Sequence, residues 1–153
     1  MKKIISIILM VLILTSCTSS KKSLEKKYSN YIKELKSVTK TSDDIPFDIE
    51  VSFDKLTDKE VRYQVIIDNS KEDIYSIEAL AIHNKKTDDI FPSIGIFDDK
   101  ENLLVNKKPS GIILVGYIDY EKDIEDFKCE IKVLIKYKDS NKKLHKVHYV
   151  TKK

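Results

Sequence analysis

Two hydrophobic periods meet at Pro46. Before it, Leu24, Tyr28, Tyr31, Ile32, Leu35 and Val38 recur at the spacing that places apolar side chains on one face of an α-helix. Ser42-Asp43-Asp44 and Ile45-Pro46 end the period, because the residue before a proline is pushed out of the α region. The pattern predicts an amphipathic helix over 24–42. Its length leaves three uses open: lying on the domain that follows, standing as a stalk, or offering Tyr28, Tyr31 and Leu35 to a partner.

Beyond Pro46 the apolar period shortens to two. Phe47, Ile49, Val51 and Phe53 alternate with Asp48, Glu50 and Ser52, and Val61, Tyr63, Val65 and Ile67 repeat the alternation after the polar stretch Asp54 to Glu60. Such alternation marks strands with one face in a core and the other in water. Asp68-Asn69-Ser70 follows with residues that favour turns through local side-chain bonds, so the two segments are expected to form a hairpin. A third strand is expected over Ile74 to Ile82, against the helical propensity of Glu78-Ala79-Leu80-Ala81. Pro92 and Gly95 make Ile90 to Phe97 an edge strand or a bulge. Leu103 to Val105, Ile112 to Tyr120, Phe127 to Tyr137 and Leu144 to Val150 complete the set, with Ile131, Val133, Ile135 and Tyr137 sharing one face. Seven or eight short strands in about 105 residues predict a mainly β chain: an antiparallel β-sandwich over 45–153, preceded by one amphipathic helix.

The 153 residues suffice for one domain and are too few for a large multidomain enzyme. A balance of 28 basic against 25 acidic residues is far from that of a typical nucleic-acid binder, and no nucleic-acid partner is expected. The start of the chain is more informative. Lys2 and Lys3 precede an apolar run from Ile4 to Leu14 broken only by Ser6, the layout of a secretory signal over 1–16. That run is too short to span a bilayer, which takes about 20 apolar residues.

Leu14-Thr15-Ser16-Cys17 follows, and this order of an aliphatic residue, two small residues and a cysteine resembles the lipobox of bacterial lipoproteins. The resemblance implies cleavage between Ser16 and Cys17 and a diacylglyceryl group joined through a thioether to the Cys17 sulfur. Two or more acyl chains there would hold the protein stably on the extracytoplasmic face of the cell membrane, whereas one chain binds only marginally. Residues 17–23, polar and lysine-containing, then serve as a lipidated tether. With Cys17 acylated, Cys129 is left as a single thiol among Phe127, Ile131 and Val133, where packing as a small buried hydrophobe is expected.

Two hairpin-like stretches carry a second resemblance. They are Ile94-Gly95-Ile96-Phe97-Asp98-Asp99-Lys100-Glu101-Asn102-Leu103-Leu104 and Val133-Leu134-Ile135-Lys136-Tyr137-Lys138-Asp139-Ser140-Asn141-Lys142-Lys143, each a strand, an Asp-led turn and a strand. They resemble the immunoglobulin-like β-sandwich domains of small bacterial envelope lipoproteins, including modules marked by a Phe/Tyr-Asp strand end. The resemblance implies a scaffold and no active site.

Catalytic signatures are absent from the sequence: it has no G-x-S-x-G, H-E-x-x-H, P-loop or dinucleotide fingerprint. His145 and His148 have metal-like spacing, but residues three apart on a strand point to opposite faces. The acidic connections Asp68 to Asp73, Asp88-Asp89, Asp98 to Glu101 and Asp119 to Asp126 lack the EF-hand pattern and read as solvated turns. No metal and no small-molecule cofactor are expected. From Lys128 to Lys153 there are nine lysines against Glu130 and Asp139, which either face an anionic surface or blunt an exposed sheet edge. The expected protein is a non-catalytic, lipid-anchored module that binds or spaces a protein or cell-wall partner. The alternative is a small envelope enzyme or inhibitor-like factor acting on wall material.

Overall fold

Alternation after Pro46 produces the expected hairpin. Strands β1 (Asp48–Thr57) and β2 (Glu60–Asp68) pair antiparallel from Asp48↔Asp68 to Thr57↔Glu60, so the connection between them is shorter than the polar stretch suggested. Val61, Tyr63, Val65 and Ile67 all turn into the core. In a computed structural model, which describes residues 21–107 and 111–153, these strands begin a β-sandwich of eight strands. The remaining strands are β3 (Ile74–His83), β4 (Ser93–Ile94), β5 (Glu101–Leu103), β6 (Gly111–Asp119), β7 (Glu130–Lys138) and β8 (Leu144–Lys152).

One sheet has the order β1-β2-β6; the other runs β4-β3-β7-β8, with β5 also on β3. All pairs are antiparallel. Three strands facing β3-β7-β8 with a short strand beside β3 is an immunoglobulin-type layout, but in the four-strand form of the first sheet another strand closes the β6 edge. Here β5 goes to β3 instead, and among the described residues β6 ends its sheet.

A helix, α1 (residues 21–37), covers the outer face of the second sheet. Tyr31 and Leu35 pack there with Leu80, Ile82, Ile96 and Leu134 in a core separate from the one between the sheets. Each such side chain, fully buried, contributes about 1.5–3 kcal/mol. This third layer explains why β3 lacks alternation: Ala79 and Ala81 face the inter-sheet core while Leu80 and Ile82 face the helix. Burial on both faces overrides the helical propensity of that segment. The helix thus lies on the domain, and docking of a partner on Tyr31 and Leu35 is ruled out because the sheet already occupies that face.

Helix α1 departs from the expected 24–42 at both ends. It already includes residues 21–23, which were expected in the tether, and it stops at residue 37. The early stop follows from competition for backbone groups. The Ser42 N–H donates to the His148 carbonyl at 2.8 Å, and the Ser42 and Thr41 hydroxyl oxygens accept the His148 and Val150 N–H groups at 2.9 and 3.0 Å. Residues 41–42 therefore cap the open edge of β8 rather than extend a helix, as short hydroxyl side chains commonly do. The expected strand at Ile90 to Phe97 contracts to the two residues of β4, because Gly95 turns the chain with φ +71° and its N–H donates to Asp98 Oδ1 at 2.6 Å. Residues 1–16 and Cys17 lie outside the described residues. Among those described, no helix is long and apolar enough to cross a membrane.

Candidate functional site

Several polar residues singled out in the sequence hold the last strands to α1 or serve local turns. His148 Nε2 lies 2.7 Å from Glu34 Oε1 of α1, and Lys146 reaches the same oxygen at 2.8 Å. His145 Nε2 instead lies 2.8 Å from Asp139 Oδ2 and its ring stacks on Tyr137. The two imidazoles thus serve different carboxylates. Among the described residues, no three His, Cys, Asp or Glu side chains are grouped to hold a metal ion. Several acidic turns have local duties: Asp98 caps Gly95, Asp73 accepts the Val105 N–H at 2.9 Å, and Asp139 Oδ1 accepts the Asn141 and Lys143 N–H groups. Cys129 is buried and free, and burial pushes its thiol up to about 11, away from the reactive thiolate.

The lysine-rich end of the chain is partly spent inside the fold. Lys132 Nζ donates to the Val38 carbonyl at 2.6 Å beyond the end of α1, and Lys136 Nζ sits 3.9 Å from the centre of the Tyr31 ring. Lys132 and Lys152 also flank Glu130. At least four of the nine lysines therefore bind the last strands to α1 or to a neighbouring carboxylate.

Glu78 was not foreseen. Among the described residues it is one of two buried polar side chains, and it receives Lys27 at 2.7 Å, Lys100 at 2.6 Å and the Tyr31 hydroxyl at 2.5 Å. Burial pushes its carboxyl up, but the bonds from Lys100, Lys27 and Tyr31 together outweigh burial and hold it down at about 2. The other, His83, packs edge-on against Tyr63 and Phe91, and its Nδ1 accepts the Lys85 N–H at 3.2 Å. Burial lowers its pKa, which keeps it neutral at physiological pH. His83 forms part of the wall of two depressions. The larger, about 410 Å³, is edged by Lys36, Lys85, Lys86 and Lys132; the other, about 350 Å³, runs between the 87–92 loop and Val115, Gly116 and Tyr117 of β6.

Tyr63 fills the space beside Gly116. A Cβ on Gly116 would stand 2.3 Å from the Tyr63 ring, so glycine is required where the ring crosses β6. The Tyr63 hydroxyl is fully buried and has no hydrogen-bond partner among the described residues. A buried hydroxyl left unpaired costs about 1–3 kcal/mol. Tyr63→Phe is therefore expected to raise the thermal midpoint, opposite in sign to most core substitutions; a lower midpoint by calorimetry would contradict this reading.

Strand β6 presents apolar side chains on both of its faces. Its inward residues Ile112, Leu114 and Ile118 are buried, while Ile113, Val115 and Tyr117 on the other face are 57%, 38% and 45% exposed. Ile90, across the smaller depression, is 81% exposed. Among the described residues the strand pairs with β2 on one side only. A sequence signal was available: Ile112 to Ile118 is apolar without alternation, the mark of a strand covered on both faces. No protein-family model and no curated protein matches the chain.

Proposed function

We propose that the protein is a non-catalytic lipoprotein, anchored through Cys17 to the extracytoplasmic face of the cell membrane, whose immunoglobulin-like domain binds a macromolecular partner in the envelope along strand β6. The anchor half of this reading rests on Leu14-Thr15-Ser16-Cys17 after a charged and apolar leader. The binding half rests on one observation: a nine-residue strand with exposed Ile113, Val115 and Tyr117 closes its sheet with no neighbour among the described residues. Clustered apolar side chains beside unpaired backbone groups are what strand-addition partners use, main-chain bonds giving affinity and alternate side chains giving specificity.

Crosslinking in intact cells tests the proposal. Wild type is expected to yield a covalent adduct that Val115→Asp loses, because a charge on this face opposes its burial. Cys17→Ala is expected to leave the membrane fraction and to lose adducts with membrane-bound partners. Absence of any adduct from wild type would overturn the binding half; retention of Cys17→Ala in the membrane would overturn the anchor half.

A further inference from the structure

The other sheet edges of this domain are guarded. Strand β1 carries Asp48, Glu50, Asp54 and Lys55 and breaks register between Lys55 and Thr57. The β8 edge is capped by Thr41 and Ser42, and β4 is two residues long. Charge, bulges, short strands and covering segments are the usual means of preventing edge-to-edge pairing. Strand β6, Gly111-Ile112-Ile113-Leu114-Val115-Gly116-Tyr117-Ile118-Asp119, has no proline, no lysine, no register break and no charge before its last residue. Nor does it alternate. The other strand with such a run, β3, has its second face covered by α1, whereas nothing among the described residues covers that of β6.

We infer that strand β6 pairs antiparallel with β6 of a second copy of this chain, about a two-fold axis at Val115, giving one continuous sheet of order β1-β2-β6-β6-β2-β1. This rests on the reading of β6 as the binding edge and names its occupant. A two-fold axis perpendicular to the sheet keeps outward side chains on one side, so Ile113 of each copy lies opposite Tyr117 of the other and Val115 opposite itself. The centre at Val115 also pairs the whole strand, Gly111 with Asp119. The flanking charges favour the same direction. Lys107 precedes the strand, Asp119 ends it, and Glu121 and Asp123 follow it with one intervening Lys122. Antiparallel copies bring the lysine end of each strand to the acidic end of the other; parallel copies set acid against acid.

The register makes the test specific. Opposed residues in an antiparallel pair have Cβ atoms about 4.5–5.5 Å apart, close to what a disulfide spans. Full-length Val115→Cys, oxidised in the membranes of the producing cells, is therefore expected to run at twice the monomer mass without reductant. Ile113→Cys alone is expected to stay monomeric, because the two copies of position 113 are about 14 Å apart along the strands. Ile113→Cys with Tyr117→Cys is expected to restore the doubled band, and wild type controls for Cys17 and Cys129. A doubled band from Ile113→Cys alone, or none from Val115→Cys and the paired variant, would overturn the self-pairing. A photoreactive residue at position 115 separates the two levels of the account. An adduct at another mass overturns the second copy while sustaining the binding edge, and no adduct overturns both.

Discussion

Gly95→Ala is expected to cost about 3 kcal/mol or more, while Gly111→Ala costs within about 0.5 kcal/mol. Both glycines lie near strand ends, but their surroundings differ. Gly95 has φ +71°, and a Cβ there would stand 2.3 Å from the Ile77 carbonyl oxygen and 3.2 Å from Glu78 Cα. The clash is with the backbone of β3, which is held between β7 and the short strands β4 and β5, so no rotamer change relieves it. A Cβ on Gly111 would meet nothing closer than 3.6 Å. Because Gly95 adjoins Ile96, a member of the core under α1, the damage should fall on the helix-bearing side. Chemical denaturation of both variants checks this, and equal midpoints would contradict the assigned close approach.

Glu78→Gln is expected to destabilise the chain by about 2–3 kcal/mol at pH 7, and the loss should fade in acid. The carboxylate joins α1, through Lys27 and Tyr31, to β3, and it also holds Lys100 from the segment before β5. Its folded value of about 2 lies below the ordinary 4.5, so its charged form is favoured by folding. That contribution is present in full above about pH 5 and is lost as pH falls toward 2. The difference between wild type and variant should therefore shrink as pH falls from about 5 toward 2. Loss of helical circular dichroism before strand signal would locate the weakened contact at α1. A constant difference across that range would contradict the role given to the charge.

Legibility in the sequence followed exposure. Strands β1 and β2 were readable because one face meets the core and the other meets water, so Val61 to Ile67 alternates cleanly. The type of β3 was harder to read, because its second face lies under a helix more than 40 residues earlier in the chain, as the 47-residue separation of Tyr31 and Glu78 shows. The same separation hid the purpose of Glu78, whose partners come from α1 and from the segment before β5. The end of α1 was misplaced because Thr41 and Ser42 bond to β8 more than 100 residues away, beyond any local pattern. Gly116 gave no local sign that it makes room for Tyr63. The β6 signal was present but ambiguous: an unbroken apolar run shows that both faces want cover, and only the fold reveals that one lacks it.

The anchor is the claim from which the envelope role follows. Cells grown with isotopically labelled palmitate and then fractionated provide the direct measurement, read as label in the purified protein and as the intact mass of its N-terminal peptide. Labelled protein is expected in the membrane fraction, with a mature chain beginning at Cys17, a diacylglyceryl mass on that residue, and no label in Cys17→Ala. An unlabelled protein that buffer alone releases from the membranes would contradict it.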